Sequence, residues 1–205
     1  MQSSEQKGIA QSRDLESRHI FSLLDQSCIP TSTPQKSNLL VRWKKPNGGF
    51  IKLNFDGSLI GHNAVGGYVL RDWKGHLLQA RAHNFGRNSI LVAEARALRW
   101  GLQEAIKAGF KFFEIEGDNK IVINVLEDHI QPLWQVDQLI KDMRIFIKNT
   151  NTTIIQHIYH EANEAADWMA RISHTIPHHV TWKSSPSSSF FAILVADNLG
   201  KILLF

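Results

Sequence analysis

The chain has a single cysteine, Cys28, among its 205 residues. One thiol excludes a disulfide scaffold and any cysteine-rich zinc or iron–sulfur site. Long apolar runs are also missing: no stretch nears the roughly 18 uninterrupted apolar residues of a membrane span. The most apolar segment, Phe190 to Phe205, is broken by Asp197, Asn198 and Lys201. The start lacks the basic region and apolar core of a secretory signal, so nuclear or cytoplasmic residence and no membrane partner are expected. Charge of one sign is scarce too. A net +4 permits a nucleic-acid partner without demanding one, because phosphate binding needs clustered Lys and Arg.

What is present is enough apolar residue, 43%, for a real core. Residues 1–42, rich in Ser and Gln and broken by Pro30 and Pro34, read as a disordered lead. Order is expected over 43–175. Ile51, Leu53 and Phe55 alternate with Lys52, Asn54 and Asp56, the period of a half-buried strand ending at Asp56-Gly57-Ser58. Ala64–Leu70 and His76–Ala82 read as strands joined through Asp72-Trp73-Lys74-Gly75. Asn88 or Ser89 caps a helix with the stripe Leu91, Ala95, Leu98, Leu102 and Ala105, stopped at Gly109. A strand over Phe112–Ile115, helices near 120–126 and 136–147, a strand over Thr153–Tyr159 and a helix over 163–172 complete a mixed α/β pattern. Residues 176–205 read as a Ser-rich linker and an apolar tail. Packing of that tail on the domain is expected, since sixteen loose and mostly apolar residues would aggregate.

Four carboxylates stand at telling positions. Asp56 closes the first strand, although alone it reads as a strand-to-turn aspartate. Glu94 interrupts the apolar stripe of its helix, which is costly unless it pairs with Arg96 or Arg99 or binds metal. Asp118 follows a strand directly, where α/β sheets hold ligands, but it could equally cap the next helix. Asp167 shares a polar helix face with Asn163, Glu164 and Arg171 and singly reads as solvated. Together they can converge into an oxygen-only ligand set that suits Mg²⁺ or Mn²⁺. Two such ions about 4 Å apart clamp the attacking and leaving oxygens of a phosphodiester.

The set Asp56-Gly57-Ser58, Gly66-Gly67 with Arg71-Asp72, Ala93-Glu94-Ala95, Gly117-Asp118 and Asn163-Glu164-Ala165-Ala166-Asp167 resembles type 1 ribonuclease H. It is most similar to the retroelement-related ribonuclease H-like domains of plants. The resemblance covers about Trp43 to Ser173. It implies a ribonuclease H-like fold, a five-stranded mixed sheet in 3-2-1-4-5 order flanked by helices. It also implies a monomeric endonuclease that hydrolyses the RNA strand of RNA–DNA hybrids. Asp56, Glu94, Asp118 and Asp167 are implied as ligands of two Mg²⁺ ions, or Mn²⁺.

The family places a histidine ten positions before the last aspartate, which is His157 here, for proton transfer or product release. His160 is the rival, or a backbone-phosphate contact where relatives carry Arg. Gly57 and Ser58 are implied as contacts to the 2′-OH, and Asn163 as a further substrate contact. Well-studied bacterial members carry amide side chains shortly before the helix glutamate, where this chain has Ser89, Ile90 and Leu91. Their basic, Trp-bearing handle is also reduced: between Glu127 and Lys141 the chain offers only Trp134 and no basic cluster. A retroelement-derived module that binds without cutting, or a protein-interaction domain that keeps the fold alone, are the competing readings.

Overall fold

The alternation at the first strand places Ile51, Leu53 and Phe55 on one side and Lys52, Asn54 and Asp56 on the other, yet all six are buried. In a computed structural model, which describes residues 41–183 and 185–200, the strand is β1 (Ile51–Ile60). It runs straight through Asp56-Gly57-Ser58, so the turn expected there falls instead at Gly61-His62, where Gly61 adopts φ 60°. The polar side is not a solvated face, because its groups satisfy one another. Lys52 Nζ reaches Glu116, Glu114 at 3.2 Å and the Lys44 carbonyl at 2.8 Å. Trp43 Nε1 donates to Asn54 Oδ1 at 3.0 Å, and Arg71 donates to the same oxygen at 2.9 Å.

β2 (Asn63–Arg71) and β3 (Leu77–Arg87) continue as an antiparallel meander. α1 (Ile90–Lys107) follows, its first turn closed by Ser89, whose hydroxyl accepts from the Val92 N–H. β4 (Phe112–Gly117) and β5 (Thr152–His157) lie parallel to β1, as strands joined through helices must. Between them stand α2 (Lys120–Leu126) and α3 (Asp137–Lys148). A 3₁₀ turn at His160–Ala162 leads into α4 (Glu164–Ile172). One apolar layer, with Leu53, Phe55, Leu98, Phe113 and Ile140, lies between the sheet and α1 to α3.

The five expected strands adopt the expected order, but a sixth joins them: β5-β4-β1-β2-β3-β6. β6 (His179–Trp182) pairs antiparallel with the outer edge of β3 and covers an otherwise open strand. Up to residue 200, the segment expected to be linker and tail therefore continues the sheet, while its residues 201–205 lie outside the described residues. It then forms α5 (Ser188–Leu199), started by Ser187 accepting from the Phe190 N–H and ended by Gly200 at φ 71°. Phe190 is fully buried against Val69, Ala80, Ala82 and Met169, a contact worth about 1.5–3 kcal/mol. Arg71 Nη1 meets Asp197 at 2.6 Å in the same interior, with its guanidinium 3.6 Å from the Trp43 ring centroid. The expected lead lies, over residues 1–40, outside the described residues. Among the described residues no helix is long and apolar enough to cross a membrane.

Candidate active site

Asp56 projects from the middle of β1, on the same side as Asn54 and Lys52. Glu94 reaches it from the first turns of α1, and Asp118 from the residue after β4. Each of the three offers a carboxylate oxygen, and these oxygens lie within 4.8 Å of one another. The approach of helix to strand depends on Gly57. A Cβ there would stand 2.9 Å from the Glu94 backbone nitrogen and 3.0 Å from its Cγ. The ambiguity at Asp118 resolves through its neighbour: Asn119 caps α2, accepting from the N–H groups of Ile121 and Val122. The Asp118 carboxylate is thereby left to the cluster, where it accepts from His160 Nδ1 at 3.0 Å.

The electrostatics follow from packing like charges in a buried place. Burial first, then repulsion from Asp118 and Asp167, raises the Asp56 pKa from 3.8 to about 8, against the pull of the Gly57 N–H and Arg171. Glu94, 4% exposed, is raised well above the ordinary value by burial and then by Asp56 and Asp118. Its Oε2 is buried with no hydrogen-bond partner. Such a group is expensive unless a cation joins it. Neither Arg96 nor Arg99 pairs with Glu94. Arg96 lies over Phe85, and Arg99 holds Asp142.

Asp167 stands at the rim rather than in the triad. It is near enough to raise the Asp56 pKa, but its carboxylate is clamped by Arg171 at 2.7 Å, one helical turn on. Burial raises its own pKa, and Arg171 and His160 lower it.

His157 Nε2 lies 3.1 Å from the backbone carbonyl of Asp118, not from a carboxylate. A carbonyl only accepts, so Nε2 carries the proton. Burial pushes the His157 pKa down, which keeps the ring neutral. Asn163, expected to touch substrate, is buried. Its Nδ2 donates to the Phe55 carbonyl at 2.9 Å and ties the start of α4 to β1. The Gly57 N–H is turned toward the carboxylates of Asp56 and Glu94. Ser58 Oγ lies 2.9 Å from His174 Nε2. The sequence reading overlooked Asn119 and His174. The capping preference of Asn was a legible signal for the first, whereas His174 arrives through the 3₁₀ turn at Ser173–Thr175, which no periodicity marks.

This sheet order, with acids converging from β1, α1 and the end of β4, defines a ribonuclease H-like domain. The chain belongs to the reverse transcriptase-like family, whose model matches residues 54–173. It is 28% identical over 146 residues to an Arabidopsis thaliana protein named "Putative ribonuclease H protein At1g65750". That alignment takes in 70% of this chain and 24% of the relative, so the chain spans about a quarter of the relative's length. RNase H1 from the archaeon Halobacterium salinarum superposes with a TM-score of 0.58 at 25% identity, over 61% of this chain and 97% of that one. LC11-RNase H1, solved in complex with an RNA/DNA hybrid, gives 0.54 at 20% identity over 58% and 92%, a likeness of fold.

Proposed function

We propose that the protein is a metal-dependent endonuclease that hydrolyses the RNA strand of RNA–DNA hybrids. The observation that carries this reading is the convergence of Asp56, Glu94 and Asp118 with one buried Glu94 oxygen left unpartnered. Three hard oxygen donors at this spacing fit Mg²⁺ or Mn²⁺. Asp56, Glu94 and Asp118 would hold the metal, with Asp167 contributing from the rim. Bound divalent ions supply charge neutralisation of the carboxylates and Lewis-acid polarisation of a phosphoryl oxygen.

The chain's own groups do the rest. The Gly57 N–H and the Asn119 side chain favour the charged form of Glu94. His157, neutral and anchored on the Asp118 backbone, fixes the end of β5 against the loop that bears Asp118. His160 donates from Nδ1 to Asp118, so Nε2 is the acceptor nitrogen of the neutral ring; it would take the proton that the attacking water sheds and return it to the departing 3′ oxygen. Water adds across the bond from phosphorus to O3′, leaving 5′-phosphate and 3′-hydroxyl ends. The RNA–DNA hybrid with which LC11-RNase H1 was solved supports this substrate class.

The test is cleavage of a hybrid labelled on its RNA strand, with Mg²⁺ and with Mn²⁺. Cleavage is expected, with a loss of about 10²-fold or more in Asp56→Asn, the scale of removing one charge-stabilising group. The clamp of Arg171 on Asp167 favours a second reading, a module that binds hybrid without cutting. Salt-sensitive binding with no turnover under either ion would establish that one and overturn the first.

A further inference from the structure

A cleft of about 230 Å³ opens beside the acid cluster, between the segment Val41–Lys44 and the end of β5. We propose that this cleft, with the cationic strip Arg42, Lys44 and Lys45, grips the phosphodiester backbone of a polynucleotide strand leaving the active site. The inference rests on the nuclease reading for its substrate and adds where the strand is held.

Position is the first argument. Trp43 is anchored to Asn54 and the Lys44 carbonyl to Lys52, on the side of β1 that carries Asp56. Asn54 precedes Asp56 by two residues, about 7 Å along the strand, or roughly two nucleotide steps along a duplex axis. Burying Trp43 between two exposed neighbours turns the side chains of Arg42 and Lys44 outward. The opposite wall carries Gln156, His157 and Tyr159. His157, which lines the cleft, is tied to the Asp118 backbone, and the turn after Tyr159 brings His160 to the Asp118 carboxylate, so this wall of the cleft leads toward the triad.

Chemistry is the second argument. No described carboxylate forms an ion pair with Arg42, Lys44 or Lys45. The one acid lining this cleft, Glu116, is paired with Lys52, which it shares with Glu114, and is hydrogen-bonded by Asn54. Tyr159 is 56% exposed and presents a ring for a base or ribose to stack upon. A second cleft of about 250 Å³ shares Arg42 and Lys44, adds Lys45, and reaches the end of α5, where its one acid, Asp197, is held by Arg71. Cations with no ion-pair partner among the described residues, an open aromatic ring and an extended groove together suit a single phosphate-bearing strand. The strip lies upstream of the family match at residues 54–173, and it supplies the grip that the stretch from Glu127 to Lys141, with its lone Trp134, does not.

The experiment measures binding of a fluorescein-labelled RNA–DNA hybrid to the full chain in EDTA, by anisotropy across a salt series. Cleavage is followed in parallel with Mg²⁺. In R42A/K44A the affinity is expected to fall about tenfold at 0.1 M salt, and the slope of log K against log salt to shrink by about 2. The control K107A/K148A removes the same charge from exposed positions at the ends of α1 and α3, and it should bind as the parent does. Rescue by R42K/K44R, with unchanged melting temperatures, assigns the loss to contact rather than folding. Parental affinity and slope in R42A/K44A, or an equal loss in the control, would overturn the strip. Hybrid cleavage by the parent without dependence of binding on Arg42 and Lys44 removes the strip and leaves the nuclease reading. Dependence without cleavage keeps the strip and removes that reading.

Discussion

At the scale of single residues, Asp56 is the informative one. Its pKa of about 8 lies far above the ordinary 3.8, so the folded chain holds a proton there that the unfolded chain has already released. Without divalent ions, stability should therefore fall as pH rises from about 4 to about 8, because the native state must ionise a group that burial and Asp118 keep neutral. A cation removes that penalty. Melting temperatures in EDTA at pH 5 and pH 8 should show the decline, Mg²⁺ should abolish it, and Asp56→Asn should make it shallower, leaving the share of the buried Glu94. A profile indifferent to both pH and Mg²⁺ would contradict the electrostatics of the cluster. Arg171 sets a second residue-scale balance, since a cation that recruits Asp167 must compete with a guanidinium already 2.7 Å away.

At the scale of elements, the site depends on how closely α1 approaches β1. Gly57→Ala would put a methyl group 2.9 Å from the Glu94 backbone nitrogen, so the helix must shift or the strand must bend. A loss of about 1–3 kcal/mol is expected, together with weaker Mg²⁺ binding, because Glu94 rides on the displaced helix. Denaturant melts and a metal titration read the two effects separately. Gly67 serves the next contact in the same way: a Cβ there would meet the Met169 Cβ at 2.5 Å, so α4 could not lie on β2. Both glycines are placed for close approach, not for a turn.

At the scale of the whole molecule, the C-terminal segment completes the second face of the sheet. Asp197 is buried beside Arg71, which also holds Asn54 and stacks on Trp43. Asp197→Ala strands a guanidinium in the interior and should cost about 3–5 kcal/mol in denaturant unfolding. Replacing both partners, as Arg71→Met with Asp197→Leu, should restore part of that stability, because the guanidinium is no longer stranded. A domain closed at residue 175 would lack β6, Phe190 and Asp197, leaving the edge of β3 open.

The sequence by itself determined the order of elements as far as α4 and the places of the four acids along it, and the resemblance carried by its motifs implied the adjacency of the first five strands. Hydrophobic period, caps and turn residues are local properties, and the spacing of Asp56, Glu94, Asp118 and Asp167 along those elements is written in the chain. Only the tertiary structure decided what lies opposite each polar group. Alternation at Lys52, Asn54 and Asp56 looks like a solvated face until Trp43, Glu114, Glu116 and the Arg71–Asp197 pair arrive from far away in the chain. The same is true of Asn119 relieving Asp118 of the cap, of Arg171 holding Asp167, and of β6 and α5 closing the sheet. Burial and pairing depend on contacts between distant segments, and no local pattern encodes them.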